Sequence, residues 1–208
     1  MKTEKIDKKT SILEAAERLF SELGYEGTST RQIAKESGAN MAMINYYFGS
    51  KDGVFQNIIS QRMEDFNAVL VTINEDKISS MEKLTRVVEG YSNRILSNVA
   101  FHKMMQRELS LDQRPLVFCQ IKDSMTSNLQ VIENIINDGI GNGSFRQVDV
   151  RMFIATIMGT ISSVAISPSK ITTGSKLDIN IPEDREILTE RLLIHLKDLI
   201  KTYLTPRK

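Results

Sequence analysis

The segment "TSTRQIAKESGANMAMINYYF", residues 28–48, constrains the fold more than any other part of the chain. Ser29 and Gln32 have the spacing of a capping box, so a short helix can begin there and close at Gly38. Asn40 can cap a second short helix, Met41–Phe48. Ile33 and Ile44 are spaced to pack between the two helices, and Ala34 is small where they would cross. Two short helices joined by a glycine-containing turn form a helix-turn-helix. Packing consumes one side of the second helix. Its other side holds Met41, Ala42, Met43, Asn45 and Tyr46, where a solvated helix would show charge. Such a face fits the major groove of DNA, with its N-terminal residues at base edges.

The remaining chain also reads as helices. "SILEAAERLFSEL" places Ile12, Ala16, Leu19, Phe20 and Leu23 on one face, with capping-box spacing at Ser11 and Glu14 and a stop at Gly24. Ser50 can cap a long helix from Lys51 to about Ile73. Its apolar positions cover more than one face, as expected of a helix buried on two sides that bridges two parts of the molecule. Apolar periods follow at Met81–Val99, Phe101–Leu109 and Pro115–Asn137. "DGIGNGSF" predicts a turn, Asp149–Ile166 a helix, and "SPSKITTGSKLDINIPED" a long loop. Pro182 suits the first turn of a last helix ending near Leu204. No run alternates as a strand would. The expected fold is all-α, with about nine helices. An N-terminal three-helix helix-turn-helix domain spans residues 1–57. A C-terminal helical bundle spans residues 58–208.

Total charge does not carry the nucleic-acid reading. The formal net charge is +1 over 208 residues, and residues 1–57 hold eight Lys/Arg against eight Asp/Glu. Any DNA contact must rest on where charges are placed. With 41% apolar and 25% charged residues the chain is globular. No apolar run approaches the ~18 residues of a membrane span, and "MKTEKIDKKT" lacks the apolar core of a signal peptide. A lone cysteine, Cys119, cannot form an internal disulfide, which fits a reducing cytoplasm.

"AAERLFSELGYEGTSTRQIAKESGANMAMINYYFGSKDGVF", residues 15–55, resembles the DNA-binding domain of the tetracycline-repressor (TetR) family of bacterial transcription regulators. The carrying features are Gly24-Tyr25 before the threonines, Ile33-Ala34 before Gly38, and the ending Tyr47-Phe48-Gly49-Ser50-Lys51; the likeness covers residues 10–58. It implies a homodimer on double-stranded operator DNA. It also implies roles by position. Thr28 and Thr30 offer hydroxyls to phosphate, and Arg31 reaches a base or phosphate, guanine being its bidentate target. Lys51 clamps a phosphate beside the N-terminus of the fourth helix. Tyr46 and Tyr47 place hydroxyls near the backbone or a base edge, although Tyr47 reads equally as a packing residue with a wet tip. Asn45 hydrogen-bonds adenine or phosphate, while Met41, Ala42 and Met43 touch thymine methyls. Lys2, Lys5, Lys8 and Lys9 could form a loose arm on the DNA or a solvated tail.

The family arrangement also implies an effector pocket in the bundle. The candidates are Met63, Phe66, Tyr91, Phe101, Met104, Met105, Phe118, Met125 and Ile157. Methionines suit an adaptable apolar cavity for an apolar or amphipathic small molecule, yet the same residues at helical spacing also suit plain core. A small-residue stripe (Ala155, Gly159, Ser162, Ser163) and an apolar stripe (Leu188, Leu192, His195, Leu199) on the last two long helices are the expected dimer interface. His102, beside Phe101 and Met104, could line the pocket. No cofactor is implied, no metal-ligand spacing exists, and no local motif suggests catalysis. The reading is a ligand-responsive repressor. Its alternatives are an activator or ligand-independent repressor of the same fold, and an all-helical adaptor or enzyme with an incidental helix-turn-helix.

Overall fold

The structure, a computed structural model, describes residues 7–110 and 115–206, with side chains described outside 115–121. The helices are α1 (Lys8–Gly27), α2 (Thr30–Glu36), α3 (Met41–Phe48), α4 (Lys51–Glu75), α5 (Ser80–Ser97), α6 (Val99–Ser110), α7 (Pro115–Gly141), α8 (Val150–Ile166), α9 (Ser169–Thr172) and α10 (Pro182–Leu204). No strand forms among the described residues. The fold is all-α.

The chain divides into two compact units, Met1–Asp65 with Lys103–Met125, and Phe66–His102 with Thr126–Lys208. In the first, Ile12, Ala16, Phe20, Ile33, Ile44, Phe55 and Ile59 are buried. Phe20, Tyr25 and Phe55 form an aromatic trio with centroids 5.2–5.5 Å apart. In the second, Phe66, Leu70, Leu84, Val88, Leu96, Ile135, Ile136, Phe153, Ile157, Ile161, Leu188, Leu196 and Ile200 belong to one apolar core. α5 shows why: Leu84, Val87, Val88, Ser92, Ile95 and Leu96 recur at helical spacing and are buried. α4 contributes Val54, Phe55, Ile58 and Ile59 near its start and Phe66, Leu70 and Ile73 near its end. The division between the units falls inside it.

Several expected boundaries shift. α1 begins at Lys8, where the Asp7 carboxylate accepts the Lys9 N–H at 3.3 Å; Ser11 is already inside the helix, donating to the Asp7 carbonyl, so the Ser11–Glu14 box does not form. α1 also passes Gly24, which takes φ +75° at a kink, and ends at Gly27. α7 continues through the first half of "DGIGNGSF" because Ile136 and Ile140 keep the apolar period going; the second half turns. The long loop before Pro182 contains the extra helix α9, four residues with no apolar period to reveal it.

Candidate nucleic-acid interface

The helix-turn-helix forms from local capping and a small shared core. The Ser29–Gln32 box is complete: Ser29 N–H donates to Gln32 Oε1 at 2.8 Å and Gln32 N–H to Ser29 Oγ at 3.2 Å. Asn40 Oδ1 accepts the Met43 N–H at 2.8 Å, fixing the start of α3. Gly38 turns the chain with φ +61°, a region that penalises a Cβ. The Ala39 N–H donates to the Ala34 carbonyl across the turn at 3.0 Å. Ile33 and Ile44 are fully buried, each burial stabilising by about 1.5–3 kcal/mol. At the far end of α3, a Cβ on Gly53 would stand 1.9 Å from the Phe48 carbonyl oxygen. Only glycine lets α4 start so close to α3.

This packing leaves α3 with one wet side. Ile44 and Phe48 point inward, while Met41, Ala42, Asn45, Tyr46 and Tyr47 are exposed and Met43 is half-buried. Tyr46 is 84% exposed, and its ring meets that of Tyr47 edge-on at 5.2 Å. An aromatic so bare stands ready for a partner surface. Arg31 is exposed on α2 and Thr30 half-buried at its start.

Three expected phosphate contacts turn inward instead. Thr28 is 2% exposed, and its hydroxyl donates to the Gly24 carbonyl at 2.8 Å, so it stabilises the end of α1. Lys51 is half-buried: its ammonium donates to the Tyr25 and Thr28 carbonyls, both at 3.0 Å, and sits 4.1 Å from the Tyr25 ring centroid. The last carbonyls of a helix lack intrahelical partners and attract a cation, so α1 captures the charge expected on phosphate. Lys8 is not in a loose arm; it lies in α1 and donates to the Gly38 carbonyl at 3.1 Å. Lys9 is exposed in α1, and Lys2 and Lys5 lie outside the described residues. Tyr25, which sequence reading passed over, organises this corner. Its hydroxyl donates to Asp52 Oδ1 at 2.6 Å while its ring lies under Lys51. Gly-Tyr followed by threonines and a distant Lys-Asp pair was its signal.

The predicted sensor residues are divided between the two units. Met63, Met104, Met105 and Met125 fall in the first unit, and Phe66, Tyr91, Phe101 and Ile157 in the second. Phe118 and Cys119 have side chains outside the described residues. Met125 is 43% exposed. Tyr91 and Ile157 do meet, at a cavity of about 20 Å³ also lined by Val88, Phe153, Met158 and Ile161. Burial pushes the Tyr91 hydroxyl above its usual value, slightly offset by Arg94. The Phe66 ring lies 5.5 Å from that of Tyr91. A larger open groove of about 490 Å³ runs between α5 and α10, with Arg185, Glu190, Ile194 and Lys197 on its walls.

The interface stripe on α10 is also corrected. Leu188 and Leu192 are buried in the core of their own unit, and Leu199 packs against it. Leu188 and Leu192 thus face the core rather than the outward side of α10, while Leu199 is half-buried. His195 is exposed, as are Ala155 and Gly159 on α8, while Ser162 and Ser163 are half-buried. Outward apolar residues on these helices include Met152 (64% exposed), Ile166, Ile187 and Ile194 (64%). Leu and Ile recur on both sides of α10, so periodicity alone does not separate its core side from its outward side.

Among the described residues no group of three or more His, Cys, Asp or Glu could hold a metal. No described helix is long and apolar enough to cross a membrane.

Comparison with known proteins agrees with this geometry. Residues 12–58 match the family described as bacterial regulatory proteins, tetR family, and residues 55–195 the C-terminal region of YsiA-like protein. The probable HTH-type transcriptional regulator YttP of Bacillus subtilis (strain 168) is 24% identical over 95% of this chain and 96% of its own. The fatty acid metabolism regulator protein of the same organism is 26% identical over 76% of this chain and 81% of its own. Among solved structures, the transcriptional regulator FadR from Bacillus subtilis, in complex with stearoyl-CoA, shares the fold with a TM-score of 0.70 and 24% identity, covering 90% of this chain and 96% of that one.

Proposed function

Because the chain belongs to the tetR family of bacterial transcriptional regulators, we propose that it is a homodimeric repressor whose effector is a long-chain acyl thioester. Its DNA-binding half is the helix-turn-helix. The carrying observation is α3, clamped by Ile44 and Phe48 and capped at both ends, with Met41, Ala42, Asn45, Tyr46 and Tyr47 facing outward. Arg31, Thr30 and Met43 flank that face. Two copies related by a two-fold axis read a palindromic operator, with half-sites about one DNA turn, ~34 Å, apart. The dimer surface is the outward side of α8 and α10, around Ala155, Gly159, Ile187, Ile194 and His195. The protein acts in the cytoplasm as a regulator, not an enzyme. Residues 1–57 form the DNA-reading part, and residues 58–208 the sensing and pairing part.

Support for an acyl effector comes from a relative named as a fatty acid metabolism regulator and from a solved structure of the same fold bound to stearoyl-CoA. The apolar cavity at Tyr91 and Ile157 supports it from within. That cavity holds no more than about one water, so an acyl chain must spread α5 from α8. The ligand thus favours an expanded bundle over the DNA-bound form, which is the differential affinity an allosteric switch requires. α4 carries the movement: its last residues belong to this core, and its first, Lys51, is bonded to α1. The test is operator binding with and without palmitoyl-CoA. The expected result is loss of affinity by roughly 5- to 150-fold. Unchanged affinity at saturating ligand refutes the acyl effector, and failure to select a palindromic site from random DNA refutes the operator reading.

A further inference from the structure

Two buried polar atoms in the second unit have no hydrogen-bond partner among the described residues: Nδ1 of His102 and Oγ of Ser92. His102 is 3% exposed and Ser92 0%. Native proteins leave few such groups, and each calls for a reason. The other ring nitrogen of His102 is engaged, with Nε2 3.0 Å from Ser162 Oγ.

Their positions along the helices relate them to the apolar cavity. Val88 on α5 and Met158 on α8 line it. Ser92 follows Val88 by four residues and Ser162 follows Met158 by four, so each serine sits one turn further along the same helix face. The two helices run in the same direction. Lys197 pairs with Glu89 at 2.5 Å, while Leu96 and Ser97 share a groove with Arg185 and Glu186, so α10 runs antiparallel to α5. Phe153 stacks on Tyr203, and Arg191 donates to the Ile171 carbonyl just beyond α8, so α10 also runs antiparallel to α8. Parallel α5 and α8 bring Ser92, Ser162 and His102 to the same end of the cavity.

We infer that this end is the polar subsite of the effector cavity, where Ser92 and His102 donate hydrogen bonds to the carbonyl oxygen of an acyl thioester whose chain lies among Tyr91, Ile157 and Ile161. The inference rests on the acyl-effector reading. Its chemistry follows from the donors. Among the described residues the Ser92 O–H lacks an acceptor. When Ser162 donates to Nε2, the ring proton resides on Nδ1, which then also lacks one. Burial holds the His102 ring below its ordinary range and therefore neutral, so the subsite suits a neutral oxygen acceptor. A bare hydrocarbon fills the cavity but leaves both donors unpaired.

The test compares palmitoyl-CoA with S-hexadecyl-CoA, a thioether that keeps the chain and the nucleotide and lacks the carbonyl oxygen, on the full-length protein. Two recovered hydrogen bonds favour the thioester by about tenfold or more. Ser92→Ala and His102→Leu each narrow that preference and leave thioether affinity within about twofold. The ¹⁵N resonance of His102 Nδ1 moves with the thioester and stays with the thioether. Equal affinity for both ligands in the wild type, or a preference that survives in the folded variants, overturns the subsite while the acyl-effector reading stands. Binding of neither ligand overturns both. Ser92→Ala removes one atom from a buried site, so the comparison remains decisive where His102→Leu fails to fold.

Discussion

Lys51 illustrates how tertiary context reassigns a residue whose motif is unambiguous. A lysine beside a helix N-terminus in this motif points to phosphate. Its ammonium instead bonds two carbonyls at the end of α1 and sits against the Tyr25 ring. Hydrogen bonds from a charged donor contribute about 1.5–3 kcal/mol. We therefore expect Lys51→Met to lower the melting temperature and weaken operator binding, while the slope of log affinity against log salt stays the same. A slope reduced by about one per half-site, with stability intact, would show a phosphate contact instead. His102 gives a second expectation. Its folded pKa lies below the ordinary histidine value of about 6.5 because burial disfavours the charged ring. Above pH 6.5 both folded and unfolded chains keep the ring neutral, and stability is full. As pH falls below 6.5 the unfolded chain takes up the proton first, and stability declines until the folded value is passed. Urea unfolding between pH 7.5 and 5 should show this decline, and His102→Leu should flatten it.

At the scale of elements, the joint between α3 and α4 leaves no room for a side chain at residue 53. Gly53 has no room for a Cβ against the Phe48 carbonyl, and Ser50 Oγ accepts the Gly53 N–H at 3.1 Å. Gly53→Ala must push the first turn of α4 away from α3. We expect a loss of about 1–3 kcal/mol in thermal unfolding. We also expect weaker operator binding, although Gly53 lies off the outward face of α3. Wild-type stability and affinity in this variant would mean that the joint yields without consequence. The caps of α2 and α3 were readable beforehand, because a box at Ser29–Gln32 and an Asn at residue 40 act within a single turn. The start of α1 was misread for the same local reason, since Asp7 and Ser11 are both competent caps and only the folded chain shows which one is used.

For the whole molecule, the proposed dimer makes operator binding depend on a second copy. Ile194 is 64% exposed on α10, and an added Cβ on Gly159 of α8 would meet nothing within 4 Å. Apolar and small residues on an outward face leave the protomer able to fold yet suited to close approach. Ile194→Lys should therefore leave the melting profile of the protomer near wild type. It should shift sedimentation from dimer toward monomer and reduce operator affinity by tenfold or more, since one recognition helix would then bind a half-site without its partner. A variant that sediments as an intact dimer would place the interface elsewhere. Leu192→Ala makes the contrast: it removes a residue 5% exposed in the core and should destabilise the protomer by about 2–5 kcal/mol.

The sequence by itself determined the all-helical class, the helix-turn-helix and most helix bounds, since caps, glycine turns and apolar period act over a few neighbouring residues. It also determined which side of α3 faces outward, because Ile44 and Phe48 are one turn apart and both must be buried. Tertiary structure alone decided what Lys51 bonds, because the Tyr25 and Thr28 carbonyls lie more than twenty residues away and depend on how the end of α1 is placed. It decided which stripe of α10 is core, because apolar residues recur on both sides and only packing distinguishes Leu192 from Ile194. It also brought His102 on α6 to Ser162 on α8, sixty residues away, a pairing that no local spacing encodes.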